Sequence, residues 1–524
     1  MKPMQASAPP TTAPRPSRRA AFLAGIVAAC AALAAGELAG ALVPGASSLV
    51  IAIGDLVIAL QPPGAKELVV ALFGTWDKLA LEIGIALAAA LIAGGLGVLG
   101  LRRPAAAAAG FLIAGAVGFL AALRQPLTEP VPALIVSLIA IVTGIAVLRL
   151  LLALVRPRTR PAEETAAAAM PDWERRRFLL ASGGALAASA VAAGVGRSLL
   201  ARPAVLPPSA PGLPPAVAEA LPPGAALEVP GITPIVVPTA DFYRIDTALI
   251  SPRVDPATWT LRIHGMVERE VTLTLDDLVA MPAFDQHVTI ACVSNEVGGR
   301  LVGNARWTGV DLREVLAMAG VRPEATQLVG RSVDRWTAGF PTAWAMDPAR
   351  RPMIALGMNG EPLPQDHGYP ARLIIPGLYG YVSATKWLSE IELTTLEAFD
   401  GYWVPLGWAK EAPILTQARI DLPRRGETVP AGTVAIAGVA WAPDRGISAV
   451  EVRVDDGPWL PAVISEPISR ATWVQWHLPW EAAQGEHTIA VRATDGEGVV
   501  QTDEQTPPAP DGARGHHEVR VSVA

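Results

Sequence analysis

Only two cysteines occur in 524 residues. Cys30 lies in an apolar run and Cys292 in Thr289-Ile290-Ala291-Cys292-Val293-Ser294-Asn295. Two thiols in such different settings make no disulfide framework. Histidine is also scarce: there are seven, all at or beyond His264. A haem b held by paired histidines of N-terminal helices is thereby excluded, and no C-x-x-C-H haem attachment occurs, so no haem is expected in this chain. Charged residues make up 17% of the chain and the net charge is −6, which gives no footprint for a nucleic-acid partner. There is no internal repeat, and the run Ala105–Ala109 is compositional.

Long apolar runs are plentiful. A bilayer core takes roughly 20 apolar residues per helix. Four stretches before residue 160 qualify, at about 20–43, 79–101, 105–124 and 131–154, and a fifth follows at about 178–200. The stretch 48–60 is half a span ending at Pro62-Pro63-Gly64, and reads as a re-entrant or interfacial segment partnered by 67–75. Arg15, Arg18 and Arg19, then Arg102 and Arg103, then Arg156, Arg158, Arg160, Arg175, Arg176 and Arg177 form the basic clusters. Five spans with a cytoplasmic N-terminus put every cluster inside, and only Lys66, Lys78, Arg124 and Arg197 on the other face. Everything after residue 200 is then extracytoplasmic.

Arg175-Arg176-Arg177-Phe178-Leu179-Leu180 opens a weakly hydrophobic run rich in Ala, Gly and Ser. It resembles an internal twin-arginine export signal, which serves domains that fold before export, and an uncleaved anchor is expected. Glu37, Asp55, Asp77 and Glu82 stand in or near the apolar runs, where acids are costly and often functional.

The expected organisation is multi-domain: a cytoplasmic tail (1–19), a four-helix membrane region with the re-entrant segment (20–155), a cytoplasmic loop and fifth helix (156–200), a proline-rich spacer (201–238), an α+β domain (239–405) and an all-β immunoglobulin-like sandwich (406–524). Trp259–Ile263 and Val271–Leu275 alternate as strands do, Leu312–Met318 reads as a helix stopped by Gly320, and Ala371–Ile375 as a strand ended by Pro376-Gly377. Thr433–Trp441, Ala449–Val454, Trp473–Leu478, Glu486–Thr494 and His517–Val523 are strand candidates separated by turn signals. In such an exported domain Cys292 is a reactive thiol, a ligand or a small buried filler.

Several motifs in one order narrow that choice. They are Cys292; Asn304-Ala305-Arg306-Trp307-Thr308-Gly309-Val310-Asp311-Leu312; Gly357-Met358-Asn359-Gly360-Glu361-Pro362-Leu363-Pro364; His367-Gly368-Tyr369-Pro370-Ala371-Arg372-Leu373; and Tyr379-Gly380-Tyr381 running into Lys386-Trp387-Leu388. Over about 239–400 this resembles the sulfite-oxidase superfamily of molybdopterin enzymes, and the sandwich resembles that superfamily's C-terminal dimerisation domain, so a homodimer is expected. The resemblance implies a molybdenum–molybdopterin cofactor, with Cys292 as the metal's thiolate ligand. A soft thiolate suits a redox metal. It implies further that Tyr243 and Arg244, His367 and Arg372, and Ser383, Ala384, Thr385 and Lys386 bind the pterin and its phosphate, with Ser332 placed by approximate spacing. Cations suit phosphate.

Sulfite oxidases carry Asn and then arginines after the metal-binding Cys. Here Asn295 is followed by Glu296 and Val297, which leaves Arg300 or Arg306 as candidates to hold an anionic substrate. Phe399 falls near the place of their active-site tyrosine, with Tyr402 close by. The reading is a membrane-anchored, extracytoplasmic oxidoreductase for oxygen-atom transfer to or from a small molecule, with electrons exchanged with a separate carrier, a cytochrome or quinone. The alternatives are a non-catalytic binding or assembly module on the same fold, and a quinone-linked or transporting membrane subunit with a regulatory soluble part.

Overall fold

A computed structural model describes residues 17–61, 69, 72–73, 76–155, 171–201 and 212–524. Arg15, Lys66, Arg156, Arg158, Arg160, most of 67–75 and the start of the proline-rich stretch lie outside the described residues. The chain divides into two compact units: 1–202 with 248–250, and 203–247 with 251–524.

The first unit is helical: α1 (Arg18–Leu42), α2 (Leu49–Leu60), α3 (Asp77–Gly100), α4 (Pro104–Ala122), α5 (Pro130–Val155) and α6 (Pro171–Ala201). Ser17 and Ser48 cap α1 and α2 by accepting from Ala20 N at 3.3 Å and Ile51 N at 3.2 Å. A proline opens each of α4, α5 and α6, where its missing N–H leaves no broken helix bond. All but α2 are long and apolar enough to cross a membrane, the five expected. α2, with 12 residues, is short, as the half-span composition suggested. Helix α1 packs against α3, α5 and α6. It meets α3 backbone to backbone, since a Cβ on Gly25 would lie 1.9 Å from Ala93 O and one on Gly97 2.0 Å from Ala21 O. Small residues permit such a crossing between apolar helices.

Among the described residues, the second unit holds twenty strands. The first eleven are β1 (Ala216–Val217), β2 (Thr260–Gly265), β3 (Val271–Thr274), β4 (Ala283–Ala291), β5 (Val302–Asp311), β6 (Gln327–Ser332), β7 (Thr337–Pro341), β8 (Met353–Met358), β9 (Glu361–Pro362), β10 (Arg372–Ile374) and β11 (Leu388–Thr394). They build one sheet in the order β1-β4-β5-β8-β10, with β9 on β8, and a second in the order β3-β2-β11-β6-β7. β4 and β8 are buried along nearly their whole length; β8 accordingly runs apolar without alternation, whereas β4 buries Asp285, Gln286, His287 and Thr289 among its apolar residues. The helix Leu312–Ala319 is closed by Gly320 at φ 69°, matching its stop signal, and is capped at its start by Asp311. Helices are short here, so the expected α+β domain is mostly β.

The remaining strands are β12 (Gln417–Leu422), β13 (Thr428–Val429), β14 (Gly432–Trp441), β15 (Ile447–Val454), β16 (Leu460–Pro461), β17 (Val463–Ile464), β18 (Val474–Ala482), β19 (Gly485–Asp495) and β20 (His517–Val523). They form two sheets, β12-β14-β18-β17 and β13-β20-β19-β15-β16. Ile420, Ile436 and Trp476 of one pack with Val452, Val491 and Val521 of the other in a shared core. Val439, Trp441 and Trp473 belong instead to the core of the preceding sheets. Trp473 N donates to Thr289 Oγ1 at 2.8 Å and Thr289 N to Ala471 O at 3.0 Å, so the seam is hydrogen-bonded as well as apolar.

The proline-rich stretch departs from expectation. Composition predicts an extended spacer with little packing of its own, but from residue 212 the chain is laid onto the second unit. β1 pairs with β4, Glu219 Oε2 accepts from His287 N at 2.5 Å, and Ile235 and Val237 are buried in the core. Trp473 Nε1 donates to Ile235 O at 2.8 Å and Gln475 Nε2 to Thr233 O at 2.7 Å. A proline-rich backbone has few N–H donors, but its carbonyls still accept, and distant side chains reach them.

Candidate functional site

Cys292 follows directly on β4 and is 9% exposed. Its N–H donates to Leu301 O at 2.9 Å, and Asn295 N donates back to Cys292 O at 3.1 Å. Asn295 Oδ1 accepts from Leu301 N at 2.8 Å. The Asn retained after the Cys therefore closes the loop to β5 and fixes the backbone on either side of the thiol.

Tyr243 and Tyr379 lie within electrostatic reach of that thiol, and burial pushes both phenols far above their ordinary range. Tyr243 also senses Arg372 and stacks on Phe242 with centroids 5.2 Å apart. Arg372 opens β10 and is 4% exposed. Its Nη1 donates to His367 O at 3.1 Å and its guanidinium carbon lies 4.9 Å from the Trp307 ring centroid. Burial lowers it to about 10, with no carboxylate to offset that. His367 is buried, with Nε2 3.3 Å from Thr239 O, and burial, Arg372 and Lys386 together lower it to about 4, so its ring is neutral near pH 7.

Lys386 Nζ lies 2.8 Å from Asp246 Oδ2 and donates to Asp366 O at 3.0 Å. Desolvation lowers it to about 8 against the pull of Asp246. Arg244 Nε donates to the same Asp246 oxygen at 2.9 Å, and its Nη1 stands 3.2 Å from Asp366 Oδ2. Thr385 is fully buried and Leu373 N donates to its carbonyl at 3.0 Å, fastening this loop to β10. Ser383 Oγ donates to Tyr379 O at 3.0 Å, and Ala384 N to Gly380 O at 3.0 Å. Ser332, at the end of β6, is buried and accepts from Asp334 N at 3.4 Å. Burial raises the Asp334 carboxyl, and both Asp246 and Lys386 act on it.

The remaining candidates sit elsewhere. Arg300 lines a cavity of about 640 Å³ with Arg419, Arg424, Arg425 and His517, a lining that includes neither Cys292 nor His367. Arg306, on β5, stands 3.7 Å from Asp285 Oδ2, and its carbonyl accepts from Asn359 N at 2.7 Å, a strand-bracing role. Tyr402 N donates to Thr337 O at 3.1 Å and its ring packs edge-on to Trp403 at 5.0 Å.

Sequence reasoning quoted Tyr379 only as part of a motif, and missed Asp246, Asp366 and Arg514, the last of which acts electrostatically on Tyr379. Asp246 stands two residues after Arg244, but its other partner is 140 residues away, so no spacing signals it.

A molybdopterin is an anionic, hydrogen-bond-rich ligand, and the residues present fit one. Arg372 Nε and Thr385 Oγ1 are buried without a hydrogen-bond partner among the described residues. Such orphaned polar atoms are rare unless a ligand or water satisfies them. Lys386 is buried next to Thr385 in the chain, and Tyr243 senses both Arg372 and the Cys292 thiol, a donor set for a phosphate and a soft metal.

Comparison with known proteins agrees. Residues 248–403 match the oxidoreductase molybdopterin binding domain. The chain is 32% identical to the mitochondrial sulfite oxidase of Homo sapiens, over 49% of this chain and 55% of that one. It is 30% identical to a NADH nitrate reductase of Oryza sativa, over 47% of this chain and 33% of that one. Among solved structures, the sulfane dehydrogenase SoxCD from Paracoccus pantotrophus covers 58% of this chain and 86% of its own, at 24% identity and a TM-score of 0.48. The chain thus spans about half the length of the sulfite oxidases it matches. Cys292, His367, Arg372 and Lys386 all fall in residues 248–403, and that segment is a molybdopterin-binding oxidoreductase domain similar to that of the sulfite oxidases.

Proposed function

We propose that this chain is a membrane-anchored molybdenum-cofactor oxidoreductase that transfers an oxygen atom to or from a small substrate outside the cytoplasm. The observation that carries the reading is a buried group in which Tyr243 senses both Cys292 and Arg372, and His367 senses Arg372 and Lys386, with Arg372 Nε and Thr385 Oγ1 lacking a hydrogen-bond partner among the described residues. Cys292 would hold the metal. Arg372, His367, Tyr243 and the 383–386 loop would hold the pterin and its phosphate, with Arg244 alongside. When bound, the cofactor supplies two-electron oxygen-atom chemistry.

The chain's own part is binding, orientation and charge. Asn295 fixes the loop beside the thiol, and neutral His367 offers a ring nitrogen without adding charge next to Arg372 and Lys386. Desolvated phenols at Tyr243 and Tyr379 keep their protons and so present donors. An anionic substrate would be met by Arg514, the cation within reach of Tyr379, rather than by Arg300 or Arg306. Sulfite oxidation and S- or N-oxide reduction both suit such a site. We read the two sheets after residue 406 as an immunoglobulin-like dimerisation domain. Five spans anchor the protein, with the basic clusters and the twin-arginine-like segment facing the cytoplasm. Electrons pass to or from a separate cytochrome or quinone.

Metal content decides the central claim. Purified wild type should carry molybdenum in near-equal ratio, and Cys292→Ser should lose dye-coupled turnover. Wild type without stoichiometric metal, or a Cys292→Ser variant that keeps both metal and turnover, would sink the proposal and favour the non-catalytic module. Turnover with sulfite, methionine sulfoxide and other S- and N-oxides assigns the substrate.

A further inference from the structure

The anchor reading asks little of the helices, and charged and polar groups inside them are costly. Four such groups nevertheless converge in the helical unit from four places in the sequence. Glu37 lies on α1 and is 7% exposed. Ser48, at the cap of α2, donates its hydroxyl to Glu37 Oε1. Arg197 of α6 is paired with Glu82 of α3, and both act electrostatically on Glu37. The approach is built into the backbone: a Cβ on Gly196 would lie 2.8 Å from Glu37 C, so glycine beside Arg197 seats α6 directly on α1 at this level.

Two carboxyls share one guanidinium. Glu82 takes it, and Glu37 has only the serine. Its second oxygen, Oε2, is buried with no hydrogen-bond partner among the described residues. An ionised carboxylate with one bare oxygen is among the most costly groups to bury, whereas the neutral acid needs far less. The other charged residues on the packed helices are Arg18 and Arg19 at the start of α1, Asp55 on α2, Asp77 and Lys78 at the start of α3, Arg149 on α5, and Asp172, Glu174, Arg175, Arg176 and Arg177 at the opposite end of α6 from Arg197.

We propose that Glu37 is a proton-binding site within the helical unit: it carries one exchangeable proton at neutral pH, held by Ser48 and poised against the Glu82–Arg197 pair. The helices then do more than anchor. The membrane reading supplies the surroundings of this site, but the proton on Glu37 is tested separately from it.

Infrared spectra of the full-length protein at neutral pH should show the carbonyl stretch of a neutral carboxylic acid, shifting in heavy water. Glu37→Gln should lose one carboxyl's worth of that band, and Glu82→Gln should keep it. Ser48→Ala, a milder change that keeps the acid, should shift the band through loss of its hydrogen bond. Identical wild-type and Glu37→Gln spectra, a band lost only in Glu82→Gln, or a band indifferent to Ser48→Ala would each overturn the assignment. A protein that purifies and stays dispersed without detergent would overturn the membrane reading instead, and leave the Glu37 band to decide the proton.

Discussion

Asp246 Oδ2 is shared by Lys386 Nζ at 2.8 Å and Arg244 Nε at 2.9 Å, and the Asp246 side chain is only 4% exposed. One carboxylate thus neutralises two cations that a phosphate would otherwise meet bare. Breaking a buried pair on one side is costlier than replacing both partners, because a charge is left uncompensated. Asp246→Ala should therefore destabilise the metal-free protein by about 3 kcal/mol. A double Asp246→Leu, Lys386→Met variant should recover most of that. Thermal or denaturant unfolding of the single and double variants checks it, and equal losses in both would show that the charge pairing is not what matters.

Thr385 should show opposite signs in the empty and loaded protein. Its hydroxyl is buried without a hydrogen-bond partner among the described residues, and a Cβ on Gly330 would sit 2.4 Å from it. Thr385→Val removes an unsatisfied group worth roughly 1–3 kcal/mol when left bare. The metal-free variant should be as stable as wild type or about 1 kcal/mol more so. The same variant should retain less cofactor, measured as pterin and molybdenum released on dialysis. A loss of stability in the metal-free state would mean that Thr385 already has a partner.

Much of this was legible in the sequence because the signals are local. Apolar length marked the five long helices, Gly320 ended a helix, and motif order marked the Cys292, His367, Arg372 and Lys386 positions. What stayed hidden is long-range. Proline content described the 201–238 backbone but not the surface it lies on, where Trp473, Gln475 and Arg419 reach it from about 190–240 residues away. Arg300 and Arg306 were chosen for charge and nearness to Cys292 in sequence. A residue eight positions on faces another cavity, and an alternating strand sets Arg306 against Asp285. Asp246 carries no motif at all, because its meaning depends on Lys386.

The topology reading predicts that a reporter fused after residue 200 is active only outside the cytoplasm. Arg175, Arg176 and Arg177 are exposed at the start of α6, consistent with recognition by an export receptor before insertion. Replacing Arg175 and Arg176 by Lys keeps their positive charge. Plain charge anchoring would be indifferent to that swap, whereas a twin-arginine signal would fail and strand the domain inside. Protease accessibility in spheroplasts separates the two.

His517 sets the acid limit of the seam between the two halves of the second unit. It opens β20, accepts from Ile420 N at 3.0 Å through Nδ1, and a Cβ on Gly298 of the Cys292 loop would lie 2.1 Å from its ring. Burial, then Arg425 and Arg419, lower it from 6.5 to about 4, with Asp421 only partly opposing. The neutral ring is therefore the folded form. Above pH 6.5 both folded and unfolded chains hold it neutral, and it contributes no pH dependence. Between 6.5 and about 4 the unfolded chain takes up a proton that the folded one refuses, so stability falls as pH falls through this window. The penalty is complete below about 4 and amounts to about 3 kcal/mol or slightly more. His367, depressed to a similar value, adds to the same slope. His517→Gln keeps an acceptor for Ile420 N but cannot titrate, so its unfolding midpoint should fall less steeply than wild type between pH 6.5 and 4 and match it in slope above. Parallel wild-type and variant curves across that window would show that the ring is already protonated in the folded chain, and that the Gly298 loop tolerates a cation against Arg419 and Arg425.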